Sequence, residues 1–201
     1  VPGSARGLAI GCGLSIPVGD PELGGDPYLM ALAAVDECVR NLVCVGADPE
    51  RIAILDNFCW PSCKRPNKLA TLVRAAEGCY DAAKAYRTPF VSGKDSLNNQ
   101  FTIPGEGGAD GRTIQIPPTL LISGIAIVHD VNRCVTMDMK HDDSELYIVE
   151  PWKGDSALNP MRLGGSHYQR LFGLPADATP DDANDFNPSQ IPPVDLAQCP
   201  Q

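Results

Sequence analysis

The sequence predicts a two-layer α+β domain ending near residue 138, with the beginning of a second unit behind it. Three observations predict it. One helix is marked at both ends over residues 27–45; a strand, a helix and a strand alternate from residue 51 to residue 92; and the apolar run Thr119–Val128 is long enough for a central strand. Two helices laid on one sheet make two layers around one core. With 201 residues, 43% of them hydrophobic, the chain can bury one complete core, or one core plus part of a second.

The first helix begins where Asp26 can cap the N-terminus and Pro27 fits the first turn, and Gly46 stops it. Leu32, Val35, Val39, Leu42 and Val43 recur at helical spacing as one apolar stripe. Met30, Ala34 and Cys44 leave little polar surface opposite, apart from Glu37 and Asn41, so the helix is expected to be covered on most sides. After the Asp48-Pro49 turn, residues 51–58 read as a buried strand whose end presents Asp56 and Asn57. Residues 67–87 read as the second helix, with Leu69, Leu72, Val73, Ala76, Cys79 and Ala83 on its buried face. Thr88-Pro89 stops it before a short strand at 90–92. Residues 102–116 are rich in glycine and polar side chains, which marks an exposed hairpin or loop between two strands. From Ser144 the pattern restarts with a strand at 145–149, a loop through Gly164-Gly165-Ser166 and a short helix. The last 25 or so residues are proline- and aspartate-rich and read as a linker or an incomplete second domain.

Charge narrows the partners. Of the net −9, residues 141–201 carry ten acids and three bases, a net of −7, which leaves −2 for residues 1–140. Neither part offers a basic stripe able to neutralise phosphates, so nucleic acid and anionic membrane surfaces are not expected partners. No apolar run approaches the roughly 20 residues that span a bilayer. The eight cysteines sit in helix-like and strand-like runs without a secretory leader pattern, as expected for reduced thiols in a cytoplasmic protein.

Glu37 and Asn41 stand four apart on the first helix and project from one face about 40° apart. A converging carboxylate and amide oxygen suit a hard cation such as magnesium, which keeps several waters and takes phosphate oxygens. The same spacing also describes a solvated polar face or a hydrogen-bonded pair that fixes packing. Asp36 and Arg40 read as an ordinary i,i+4 ion pair. A second constellation is the turn at residues 92–99, where Gly93 permits close backbone approach, Lys94 supplies a point charge, Asp95 an acid, and Ser96 and Asn98 hydrogen-bonding groups. It is either a phosphate cradle or a polar turn. It is not a Walker A loop, because Thr88 and Asp95 stand where that motif needs Gly and Ser or Thr. Gly164-Gly165-Ser166 can open a helix N-terminus to an anion or simply connect elements. Cys59 and Cys63 lack the second ligand pair of a zinc site, Cys12 has no neighbouring base, and His129, His141 and His167 are scattered.

The blocks AAVDECVRNLVCVGADPERIAILDNFCWP (residues 33–61), LVRAAEGCYDAAKAYRTPFVSGKDSLNN (72–99), IPPTLLISGIAIVHDV (116–131) and LGGSHY (163–168) closely resemble phosphoribosylformylglycinamidine synthase, over nearly all of residues 7–172. That family lies in the aminoimidazole ribonucleotide synthetase (PurM-like) superfamily. The resemblance implies two similar halves whose N-terminal domains pair about a shared barrel-like core, and this chain is similar to the second half. Residues 1–138 are then a PurM-like N-terminal domain, a mixed sheet with helices on one face, and residues 139–201 the start of a PurM-like C-terminal domain. By the same resemblance Glu37 and Asn41 are magnesium ligands at a nucleotide site, and Gly93, Lys94, Asp95 and Ser96 face the phosphorylated substrate or nucleotide. ATP and magnesium are the implied cofactors. Formylglycinamide ribonucleotide, a glutaminase domain or subunit, and the other synthetase half or a homodimer mate are the implied partners.

The implied reaction belongs to purine biosynthesis: ATP phosphorylates the amide oxygen of formylglycinamide ribonucleotide, and glutamine-derived ammonia displaces phosphate to leave the amidine. Two features of the family pattern are not found among these residues. They are the strands expected before Gly7, with a further acidic ligand, and a His-Asp motif expected deeper in the C-terminal domain. The alternatives are a non-catalytic assembly half of the same enzyme, or another ATP-using synthetase of the superfamily, such as a selenophosphate or aminoimidazole ribonucleotide synthetase.

Overall fold

Alternation along Thr119–Val128 sets the architecture: Leu120, Ile122, Ala126 and Val128 are buried on one side, while Ile125 faces out. The computed structural model describes residues 2–105, 111–145, 147, 171, 194–197 and 199–200. These form the strands β1 (Gly7–Leu14), β2 (Ile52–Cys59), β3 (Phe90–Ser96), β4 (Gln100–Ile103), β5 (Arg112–Gln115) and β6 (Thr119–Val128). The helices are α1 (Ile16–Gly19), α2 (Pro27–Val43) and α3 (Pro66–Tyr86). One sheet is ordered β1-β6-β2-β3, with β6 antiparallel to both β1 and β2, and β3 parallel to β2. The sheet is therefore mixed, and α2 and α3 cover one face of it, as expected.

α2 matches its expected start. Asp26 accepts the Tyr28 N–H at 2.9 Å, and its carboxylate also takes two N–H groups of Arg74 at 3.1 and 2.9 Å, which ties the start of α2 to α3. Gly46, with φ 95°, follows the helix end. The helix is buried on most sides, through Met30, Ala31, Ala34, Val35, Cys38 and Leu42 among others. Asp36 and Arg40 form the expected ion pair at 2.6 Å, and Tyr86 of α3 donates to the other Asp36 oxygen.

Three elements depart from expectation. β1 falls on residues to which the sequence patterning assigned no strand. α3 buries Ala75, Gly78, Cys79, Ala82 and Tyr86, whereas Leu69, Val73 and Ala76 are exposed and Leu72 and Ala83 half-buried. The face is chosen by closeness of approach rather than side-chain size: a Cβ on Gly78 would lie 2.6 Å from the Tyr28 carbonyl oxygen and 2.8 Å from Ala31 Cβ. β3 continues to Ser96, so Gly93, Lys94, Asp95 and Ser96 belong to a strand and not to a turn.

The expected hairpin is β4–β5, a separate two-stranded sheet. Gln100 accepts the Ser62 N–H, and Gln115 donates to Glu22. Beyond β6, Val194, Leu196 and Cys199 pack against the core of the domain. The strand expected at 145–149, except for Glu145 and Tyr147, and the Gly164-Gly165-Ser166 loop lie outside the described residues. Among the described residues no helix is long and apolar enough to cross a membrane.

Candidate functional site

Glycines in β1 let α2 lie almost on the strand. An ideal Cβ on Gly13 would sit 2.0 Å from the Ala34 carbonyl oxygen, and one on Gly11 would sit 3.3 Å from Asn41 Cβ. At that separation the two polar side chains of α2 reach the β1 backbone. Glu37 Oε2 accepts the Leu14 N–H at 2.8 Å, and Asn41 Nδ2 donates to the Cys12 carbonyl at 2.8 Å. The backbone partners settle which atoms remain. A carbonyl takes only a donor, so Asn41 presents Oδ1 outward, and Glu37 keeps Oε1.

Both side chains are exposed and lean on one edge strand. One carboxylate oxygen and one amide oxygen on neighbouring turns fit a hard cation that completes its shell with water and phosphate. They do not make a full protein cage: among the described residues no group of three or more His, Cys, Asp or Glu could hold a metal. The same fact leaves Cys59 and Cys63 without further zinc ligands, and all eight cysteines are free thiols.

The second constellation lies on β3, at the opposite edge of the sheet. Lys94 pairs in register with Asn57, Asn57 with Leu121, and Leu121 with Leu14, whose N–H Glu37 holds. Lys94 and Leu14 therefore share one row across the sheet, three inter-strand steps or roughly 14 Å apart between backbones. The expected single site, with the metal pair directly beside the lysine, is corrected by this sheet order. The two constellations lie at opposite edges of the sheet. Lys94 Nζ donates to Ser96 Oγ at 2.7 Å, so these two side chains project together.

Asp56, noted in the sequence only as a strand-end residue, lies against Gly93 on the helix side of the sheet. Burial, with the nearby Asp95 charge, pushes its carboxyl above the usual range, and the Lys94 backbone N–H offsets part of that rise. The Asp56 charge in turn adds to burial in raising the Cys79 thiol of α3 to about 12.

Residues 10–109 match the family described as AIR synthase related protein, N-terminal domain. The phosphoribosylformylglycinamidine synthase subunit PurL of Deinococcus radiodurans is 35% identical over 176 residues, which cover 85% of this chain and 20% of that protein. The same subunit of Erythrobacter litoralis is 37% identical over 173 residues, 85% of this chain and 21% of that protein. The chain thus spans about a fifth of the length of these relatives. Among solved structures, PurLQS from Thermotoga maritima aligns with a TM-score of 0.47 at 22% identity, covering 66% of this chain and 19% of that one. Together the family match over α2, α3 and β1–β3 and the curated relatives show that the chain belongs to the AIR synthase related family, in its phosphoribosylformylglycinamidine synthase branch.

Proposed function

We propose that this chain is part of the synthetase side of phosphoribosylformylglycinamidine synthase, an ATP-dependent carbon–nitrogen ligase. Residues 1–138 supply its N-terminal domain and residues 139–201 begin the next, with Val194, Leu196 and Cys199 packed back on the first core, in a cytoplasmic enzyme. The observation that carries the reading is that Glu37 and Asn41, one turn apart on α2, are each anchored on the β1 backbone through one atom, which leaves Glu37 Oε1 and Asn41 Oδ1 for a ligand. Glu37 and Asn41 would hold magnesium with ATP, and magnesium would supply charge neutralisation on the phosphoryl oxygens. Lys94 and Ser96, with Gly93 and Asp95 in the same strand, would bind the phosphate of nucleotide or formylglycinamide ribonucleotide at the opposite edge of the sheet. Their part in the chemistry is electrostatic: a cation and a hydroxyl fixed before the charge arrives. Glutamine hydrolysis falls to a separate domain or subunit, since no described cysteine is hydrogen-bonded to a histidine.

Glu37→Ala and Asn41→Ala should each weaken magnesium-ADP binding by about tenfold or more, measured by calorimetry on the intact synthetase. Wild-type affinity in both variants would remove the metal assignment.

The sheet face turned away from the helices favours the partner reading. Ile10 is 80% exposed and Leu8 60%, and Leu14, Leu55 and Ile125 are exposed beside them, an apolar surface of the kind that another sheet covers. The other synthetase half, or a second copy, is its occupant in this reading. Ile125→Asp should weaken that association by about tenfold in sedimentation equilibrium while leaving the thermal midpoint within a few degrees. Equal association would exclude this face as the interface.

A further inference from the structure

Gly93 is a glycine because of Asp56. A Cβ at position 93 would lie 2.5 Å from Asp56 Oδ1 and 2.9 Å from both Cγ and Oδ2, so the carboxylate occupies the space that any other side chain would begin to fill. The backbone makes no such demand, for Gly93 is not among the residues with positive φ. The neighbourhood shows why a wedge matters there. β3 is an edge strand whose only neighbouring strand in the sheet is β2, and the β2–β3 register slips between Ile54 and Leu55, just before the Asp56–Gly93 pair. A one-residue slip of β3 would turn Lys94 and Ser96 to the helix side of the sheet.

We infer that Asp56 is the positioning residue of the Gly93–Ser96 segment: its carboxylate, lodged against Gly93 from the helix side, holds the register that presents Lys94 and Ser96 together on the opposite face. The inference rests on the proposed reading of that segment as phosphate-binding. Asp56 touches no ligand in this arrangement and acts through the strand.

The test titrates inorganic phosphate, and separately magnesium-ADP, into the full chain and five variants by calorimetry. Lys94→Ala reports the phosphate reading itself and should cost about tenfold in affinity for at least one probe. Gly93→Ala and Asp56→Ala should each cost a similar factor for the same probe. In the double variant the two losses should not multiply, because the methyl group at 93 enters the space that the carboxylate vacated. Asp56→Asn, which keeps the shape and an acceptor oxygen, should bind within about threefold of wild type. A merely structural role would lower the melting temperature of Asp56→Ala and leave affinity unchanged below it. Loss in Lys94→Ala with wild-type affinity in Asp56→Ala overturns the inference alone, whereas unchanged affinity in Lys94→Ala overturns the phosphate reading and the inference with it. Should Asp56→Ala not fold, Gly93→Ala decides: wild-type affinity there overturns the inference, and a tenfold loss supports it.

Discussion

Gly13→Ala is expected to lower the unfolding free energy by about 3 kcal/mol, at the upper end for an added methyl group in a packed interior. The methyl would sit 2.0 Å from the Ala34 carbonyl oxygen and 2.8 Å from the Cys38 nitrogen. Both are backbone atoms of α2, so no side chain can swing aside and the helix must lift off β1. Ala34, Cys38 and Leu42, all fully buried, lose contact as it lifts. The site moves with the core, because the Leu14–Glu37 and Cys12–Asn41 hydrogen bonds, each 2.8 Å, span the same gap. Gly11→Ala is the control. There the methyl meets Leu42 Cγ at 3.2 Å, Asn41 Cβ at 3.3 Å and the Cys38 carbonyl oxygen at 3.4 Å, separations relieved by a small shift, and the cost should stay below about 1.5 kcal/mol. Urea unfolding of both variants measures the contrast, and equal shifts would contradict the packing argument.

The same glycines explain what the sequence could and could not disclose. α2, β2 and β6 were legible because their signals are local: an Asp-Pro start, a short apolar run, a ten-residue apolar run. β1 was not, because Gly7, Gly11 and Gly13 dilute the strand pattern, the last two for the sake of a helix that is distant in sequence. α3 misled through its larger side chains. Its end was read from Thr88-Pro89, whereas the cap itself is Arg87 in the left-handed region at φ 56°, a conformation that no glycine announced. The segment Gly93–Ser96 has the composition of a turn, and only pairing with β2 extends it into a strand. For the candidate site, spacing gave the shared helical face of Glu37 and Asn41. It could not give the β1 backbone that orients them, nor the sheet order that puts Lys94 on the opposite edge strand.

Trp60→Ala should cost about 3–5 kcal/mol and carry a loss of phosphate affinity with it. Trp60 is fully buried, its ring lies 5.5 Å from that of Phe58, and its indole N–H donates to Thr71 Oγ1 at 3.0 Å. Its backbone closes the end of the proposed phosphate segment: the Trp60 N–H donates to the Ser96 carbonyl, and the Trp60 carbonyl accepts the Asn99 N–H, both at 2.8 Å. Removing the indole leaves a cavity where β2 meets α3, and the backbone that grips Ser96 loses its support. Trp60→Phe separates the two contributions. It keeps most of the apolar volume and gives up the hydrogen bond to Thr71, whose hydroxyl still donates to the Lys68 carbonyl. That variant should lose about 1–2 kcal/mol and retain phosphate binding, measured by denaturant unfolding and by the same phosphate titration. If Trp60→Ala instead bound phosphate as wild type does at a temperature where it is folded, Lys94 and Ser96 would owe their placement to β2 pairing alone, and the closure at Ser96 would be packing without consequence for the site.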